Sequence, residues 1–240
     1  GNRMQAGNFL YEGKAKQIFA TDDEKVVLIK YKDDATAFDG QKKGTILNKG
    51  IVNNRVSNLL FKLLEKEGIE THLLEQLDDR NTLVKKLHII PVEMVVRNVI
   101  AGSLSKRVGQ EEGIELADAI IELYYKNDEL HDPMINDCHV QVMGWATAEQ
   151  LQEMYRQAYK INQVLEAFYD QIGIILVDFK LEFGLYEGRV ILGDEISPDT
   201  CRLWDKTSLE KLDKDRFRRD MGQEAEAYQE VIRRIEAALL

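Results

Sequence analysis

Two cysteines, four histidines, three prolines and two tryptophans are all that these 240 residues hold of those types, and each scarcity closes off a class of protein. Cys138 and Cys201 lie far apart and neither belongs to a C-x-x-C pair, so a disulfide framework or a thiolate zinc site has little basis and both read as reduced thiols. The adjacent Cys138-His139 lacks helical spacing and further ligands. Packing or surface roles are expected for it and for His72, His88 and His131. No apolar run approaches the ~20 residues that span a bilayer. No charged segment followed by an apolar one opens the chain either, which points to a cytoplasmic protein without a membrane partner. Internal repeats, low-complexity tracts and linkers rich in Pro or Ser are missing, so any lobes should be in intimate contact. Basic residues number 32 against 42 acidic ones, and the net charge of -10 argues against coating nucleic acid. A small phosphate-bearing substrate needs only a few aimed cations and stays open. Gly1-Asn2-Arg3 ahead of Met4 reads as a cloning remnant. With 44% hydrophobic and 31% charged residues, the chain suits a soluble globular protein of one or two domains with a sizeable core.

Ile174 to Gly184 is the stretch on which the rest depends. It reads as a central strand in which Asp178, Lys180 and Glu182 share one face while Val177, Phe179, Leu181 and Phe183 pack on the other. A second run, Val190 to Glu195, follows Gly188. If Glu187, Gly188 and Arg189 form a three-residue hairpin loop, Glu182 lies opposite Asp194. Facing carboxylates repel unless a cation or proton sits between them, and oxygen-only ligation suits Mg²⁺ with substrate phosphates. The plainer reading is an exposed hairpin face decorated with charge.

Other segments add candidates. Phe9 to Ala20 reads as one strand, with Lys14 and Lys16 emerging on one side beside Gly13. Glycine allows close approach of the backbone, and two lysines can grip a polyphosphate. Lysines that merely protect a sheet edge are the equal alternative, and no Walker A pattern occurs. Asp33 to Lys49 reads as a polar loop, with Asp39 in its middle. Ile51 to Glu67 carries a helical stripe ended by Gly68, and strands are expected near 71–75 and 83–87.

From Pro91 the chain is strand-like, with Glu93 and Arg97 on one face, until Gly102-Ser103 opens a short helix. Ser103 and Arg97 could clamp an anion. Plain helix capping by Ser103 and an internal Glu93–Arg97 pair compete with that. Between Gly109 and Trp145 only Ile120 to Tyr125 is strand-like, and the polar stretch from Lys126 to Asp132 reads as a working loop. Thr147 with Gln150 forms a capping box for the longest helix, ended by Gly173, and Thr207 with Glu210 predicts another. Ser197-Pro198-Asp199 is turn chemistry that would return Arg202 to the acidic face. Gly222 to Leu240 is expected to form an amphipathic helix, with Arg216, Arg218 and Arg219 on its solvated flank.

Four of these stretches together resemble the SAICAR synthetase (phosphoribosylaminoimidazole-succinocarboxamide synthase) family of purine biosynthesis. They are Tyr11 to Lys16, Pro91 through Arg97 to Ser103, Leu176 to Gly184, and Gly193-Asp194-Glu195 with Ser197-Pro198-Asp199. The third is highly specific. The resemblance implies a two-lobed α+β fold, its nucleotide lobe similar to protein kinases, with 4–88 as that lobe and 89–240 as the substrate and metal lobe. It implies an ATP-dependent ligase joining L-aspartate to carboxyaminoimidazole ribonucleotide (CAIR) through an acyl phosphate, in a stand-alone homodimer.

On that carry-over Gly13, Lys14, Ala15 and Lys16 hold the ATP phosphates, and Lys86, Leu87 and Ile89 lie along the connection that meets adenine. Glu182 and Asp194 become Mg²⁺ ligands. Arg97, Ser103 and Arg202 clamp the ribonucleotide phosphate, with Glu93 also on the substrate side, and Asp178 meets the imidazole side. Lys180 lies by the reacting carboxylate, with Asp39, Lys126 and Asp132 near aspartate or on loops. A small-molecule carboxylate kinase with a similar ATP cleft, or a nucleotide-binding regulator without turnover, would carry a similar nucleotide site.

Overall fold

A computed structural model describes residues 6–240, so Gly1-Asn2-Arg3 and Met4 lie outside the described residues. In chain order the strands and helices are β1 (Phe9–Glu12), β2 (Lys16–Ala20), β3 (Val26–Tyr31), β4 (Asp34–Ala37), β5 (Lys42–Thr45), α1 (Lys49–Lys66), β6 (Leu73–Gln76), β7 (Asn81–Lys85) and β8 (His88–Val99). There follow α2 (Gly102–Val108), β9 (Glu115–Tyr125), β10 (Met134–Ile135), α3 (Asp137–Val142), α4 (Ala148–Gln171), β11 (Ile174–Tyr186), β12 (Arg189–Leu192), β13 (Cys201–Asp205), α5 (Asp215–Arg218) and α6 (Glu224–Leu239). This is a mixed α/β chain with two antiparallel sheets and a small hairpin, β4–β5.

The first sheet runs β1-β2-β3-β7-β6 and the second β10-β9-β8-β11-β12, with β13 also paired to β11. β11 is central because both its edges are used along its length. β8 takes one edge, and β13 and then β12 take the other. Only Lys86 and Leu87 separate β7 from β8, so the connection between sheets is short. A parallel bridge between Thr71 and Leu192, with His72 N–H donating to Leu192 O at 2.9 Å, ties the sheets together a second time.

Alternation builds the second sheet: Phe179, Leu181 and Phe183 of β11 and Val92, Met94 and Val96 of β8 point into the main core, where α4 lies over them. Val177 departs from the expected alternation. The register shifts between Leu176 and Asp178, so Leu176 joins the main core while Val177 packs with Val99, Ala101 and Trp204. Helix α4 starts as its residues dictate, with Thr147 and Gln150 capping each other's backbone, and Gly173 at φ 76° turns the chain into β11. Helix α1 packs against α6 and against β3 and β6 of the first sheet, so the main core crosses from one half of the chain to the other.

Several expectations are corrected. Phe9 to Ala20 is a hairpin rather than one strand, with Gly13 N–H closing onto Lys16 O at 2.8 Å. The stretch from Asp33 to Lys49 is mostly the β4–β5 hairpin rather than a loop. Thr207 caps no helix: its N–H and that of Ser208 are held by the Asp205 side chain in a turn. The strand after Gly109 begins at Glu115, earlier than its apolar content shows.

Candidate active site in the face of the second sheet

The face of β11 opposite the core carries Asp178, Lys180 and Glu182 in sequence, and neighbouring strands supply a partner to each. Asp178 pairs in register with Arg97 of β8 on one side and Arg202 of β13 on the other. Arg97 Nη1 donates to Asp178 Oδ2 at 3.3 Å, and Arg202 Nη1 donates to both carboxylate oxygens at 3.2 Å. The Ser197–Thr200 turn, closed by Thr200 N–H onto Ser197 O, brings Arg202 there. Each arginine has a further anchor. Arg97 Nε donates to Glu122 Oε1 at 2.6 Å, and Arg202 Nε donates to Asp215 Oδ2 at 2.9 Å.

Ser103 does not cap its helix. Its Oγ accepts from Arg97 Nη2 and Arg107 Nη1, each at 3.0 Å, while the cap position falls on Ala101 without a side-chain bond. Gly102 is required beside it, since its φ is 56° and a Cβ there would meet Arg202 Nη2 at 2.5 Å. The internal Glu93–Arg97 pair considered from the sequence is not formed.

Further along the strand the charges change sign. Glu182 lies in register with Glu93. Lys180 Nζ stands 3.5 Å from Glu93 and 3.6 Å from Glu182, and Lys126 Nζ donates to Glu182 Oε2 at 3.2 Å. Burial pushes the Glu93 carboxyl up to about 7, against the pull of Lys180 and with the help of Glu182's charge. Burial opposes the charge on Lys180, but Glu182, Asp194 and Glu93 outweigh it and hold its pKa above the ordinary value.

The hairpin after β11 differs by one residue from the sequence expectation. Tyr186 pairs with Arg189, so the loop is Glu187-Gly188 alone, and Glu182 lies opposite Gly193, whose N–H donates to Glu182 O at 2.9 Å. Asp194 still turns back to the same charged cluster because it leaves the strand with φ 52°. Its Oδ1 accepts from Lys16 Nζ of β2 at 2.8 Å, and Glu195 Oε1 is 3.0 Å from the same ammonium, an ion pair that bridges the two sheets. Burial resists the ionisation of Asp194, but Lys16, Lys180 and Lys126 overcome it and hold the carboxyl well below its usual range. Lys16 in turn is held above its ordinary value by Asp194 and Glu195 in spite of burial.

The remaining candidates are dispersed. Gly13 and Lys14 occupy the exposed β1–β2 turn, so Lys14 and Lys16 do not share a strand face, and Ala15 O accepts from Lys32 N–H at 2.8 Å. Lys86 and Leu87 form the connection, Lys86 N–H donating to Lys25 O, and Ile89 is 41% exposed at the start of β8. Asp132 accepts from Asn127 N–H and adds to the charge felt by Glu93, without an ion pair to the lysines. Asp39, at the tip of β4–β5, lies 3.2 Å from His131 Nδ1.

Residues missed from the sequence are Glu122 and Asp215, which hold the arginines, and Glu195 and Lys49. The Lys49 Nζ is fully buried against Asp199, whose other oxygen accepts from Tyr228 Oη at 2.6 Å. A lysine at a helix start followed by an apolar stripe was the available signal for the last.

A sequence profile described as SAICAR synthetase matches residues 9–235. Phosphoribosylaminoimidazole-succinocarboxamide synthase of Desulfitobacterium hafniense is 60% identical over 236 residues, covering 98% of this chain and 99% of the relative. The crystal structure of the synthase from Ehrlichia chaffeensis superposes with a TM-score of 0.94 at 46% identity, covering 96% of this chain and 99% of that one. A SAICAR synthetase in complex with ADP superposes with a TM-score of 0.92 at 50% identity, covering 95% and 97%.

Proposed function

We propose a reaction and residue roles from the premise that this chain belongs to the SAICAR synthetase family. It is an ATP-dependent ligase of purine biosynthesis, a phosphoribosylaminoimidazole-succinocarboxamide synthase. In the reaction we assign, a carboxylate oxygen of CAIR attacks the γ-phosphorus of ATP and ADP leaves. The amine of L-aspartate then attacks the acyl carbon, phosphate leaves, and the amine proton is lost. The activation is needed because a free carboxylate has no leaving group weaker in basicity than oxide. Phosphoryl transfer asks the protein for position and charge rather than for a nucleophile.

One observation carries this reading: a single sheet face has an arginine clamp at one end and paired acids at the other, with Lys180 between them. Arg97, Ser103 and Arg202 offer donors for the ribonucleotide phosphate, and Asp178 orients both guanidiniums. Lys180 lies where the carboxylate of CAIR would sit, and Glu93 and Lys126 set the charge around it. The Gly13–Lys16 turn faces the ATP phosphates, with Lys86, Leu87 and Ile89 along the adenine edge. The lobes are then 4–88 for nucleotide and 89–240 for substrate and metal, the first of them starting outside the described residues.

Glu182 and Asp194 fit Mg²⁺ by the chemistry of their donors. Both are hard oxygen donors, and each already attracts a lysine ammonium. Among the described residues no group of three or more His, Cys, Asp or Glu could hold a metal by itself. The fit is therefore to an ion shared with nucleotide phosphates, which would neutralise the charge that builds on them. Asp39 and Asp132 stay as candidates on the rim.

No helix among the described residues is long and apolar enough to cross a membrane. Small-molecule substrates, cytoplasmic placement and a homodimer complete the reading, the last checked by sedimentation. The reaction is tested by incubating the protein with CAIR and ATP, with and without L-aspartate, and weighing the products. SAICAR formed only with all three substrates is expected, whereas a phosphorylated ribonucleotide as end product would make the protein a kinase. Glu182→Ala is expected to lose turnover while keeping its fold.

A further inference from the structure

Glu122 lies one strand outward from the residues given roles above. On β9 it stands opposite Val95, and Val95 stands opposite Lys180, so its carboxylate belongs to the same charged face. Its two oxygens divide their partners. Oε1 accepts from Arg97 Nε at 2.6 Å and from Tyr124 Oη at 2.9 Å, and Oε2 accepts from Arg107 Nη2. Burial resists the charge on Glu122, but Arg97, Tyr124 and Arg107 outweigh it and hold the carboxyl below its usual range.

Those bonds fix two members of the phosphate clamp at once. Arg97 is held at Nε by Glu122 and at Nη1 by Asp178 and Ala101 O, so its guanidinium plane cannot turn and Nη2 is directed at Ser103 Oγ. Arg107 Nη1 donates to that same oxygen. With both lone pairs of Ser103 Oγ taken by guanidiniums, its hydroxyl hydrogen is left to donate outward. Glu122 thus aims Arg97 directly and Ser103 through Arg107. On the far side of Asp178 the arrangement repeats, because Asp215 takes Arg202 Nε as Glu122 takes Arg97 Nε.

We propose that Glu122 is a positioning residue for the ribonucleotide phosphate, keeping Arg97 Nη2 and Ser103 Oγ aimed at one anion. Charge by itself argues the other way, since a carboxylate close to a phosphate repels it. Orientation outweighs that repulsion here. Guanidiniums free to turn would have to be ordered as the phosphate binds, and that ordering costs affinity which a clamp already set does not lose. The role rests on the reading of this clamp as the ribonucleotide phosphate site.

Steady-state kinetics of Glu122→Gln decide between the two effects, because glutamine keeps the length of the side chain and loses the charge and one acceptor oxygen. Weakened bonds to Arg97 and Arg107 predict a KM for CAIR raised about 10- to 100-fold. The kcat and the KM values for ATP and L-aspartate should stay at their wild-type levels. Ribose 5-phosphate offers the phosphate without the imidazole, and its inhibition should weaken by a similar factor. A carboxylate that served the fold alone would shift neither selectively. Tyr124→Phe takes one hydroxyl bond from the same carboxylate and should raise the KM for CAIR about 2- to 10-fold, which decides the matter if Glu122→Gln does not fold. An unchanged or lowered KM for CAIR in Glu122→Gln, or a rise shared with ATP and L-aspartate, would overturn the role. If the wild type makes no SAICAR, the reading of the clamp falls and the role with it. If it turns over and the KM for CAIR is unmoved in the variant, only the role of Glu122 falls.

Discussion

Asp213 is fully buried, and its oxygens accept the N–H groups of Leu203 and Asp215, each at 2.7 Å. Burial, aided by the neighbouring charge of Asp215, pushes its carboxyl up to about 7 from an ordinary value of 3.8. The folded chain therefore binds this proton more tightly than the unfolded chain does. Stability from Asp213 is complete below the ordinary carboxylate range and is lost as pH rises through about 7. Asp213→Asn cannot ionise, so the variant should gain on the wild type between pH 5 and pH 8 by on the order of a few kcal/mol. Calorimetric melting of both proteins across that range checks it, and parallel curves would remove the buried acid from the account. Asp213 and Asp215 also show why single residues escape a reading of the sequence. They sit among alternating acids and bases that look like a solvated flank, and only the return of the chain past β13 turns them inward.

Gly184 shows what one element demands of another. It lies in β11 where the strand passes the connection between the sheets, and a Cβ there would meet Leu87 Cβ at 2.7 Å and His88 O at 3.1 Å. Leu87 Cβ is fixed to the backbone of the connection and His88 O to the first residue of β8, so neither can swing away, and Gly184→Ala should push the connection off β11 at a cost of about 1–3 kcal/mol. The same shift would move Leu87 and Ile89, so ADP should bind more weakly in step with the lowered melting temperature. Titration calorimetry and thermal unfolding measure the two effects, and a variant that melts lower yet binds ADP as the wild type does would separate the connection from the nucleotide.

At this scale the sequence is legible where a pattern is periodic and local. The stripe of α1, the capping box of α4 and the charged face of β11 all lie where their residues place them. It fails by one residue at the hairpin, because Glu187 at φ 49° and Gly188 at φ 77° make a two-residue turn in which a non-glycine takes a left-handed conformation. It fails at Thr207, where Asp205 satisfies the same N–H groups that a helix would have used. The bulge at Val177 has no local signature at all, since it answers to packing against Trp204 and Val99.

Across the whole molecule the apolar contacts are distributed unevenly, and that asymmetry sets where the structure opens. The main core joins α1, α4 and α6 to β8 and β11, whereas the first sheet keeps two small clusters of its own around Ile18, Val27 and Ile29 and around Val26, Leu28 and Leu83. Every residue of β1 is exposed. A sheet held by few buried side chains has little free energy against local opening, while strands inside the large core exchange only when much of the molecule unfolds. Amides of β1 and β2 should therefore exchange with solvent soonest, and those of β8 and β11 last. Added ADP should slow exchange at 13–16 and 86–89 and leave 97–103 as before, because nucleotide is expected to bridge the turn and the connection without touching the arginine clamp. Hydrogen-exchange mass spectrometry resolves these segments. Protection appearing at 97–103 with ADP alone would put the nucleotide in the place assigned here to the ribonucleotide phosphate, and the order of the two sites along the sheet face would have to be reversed.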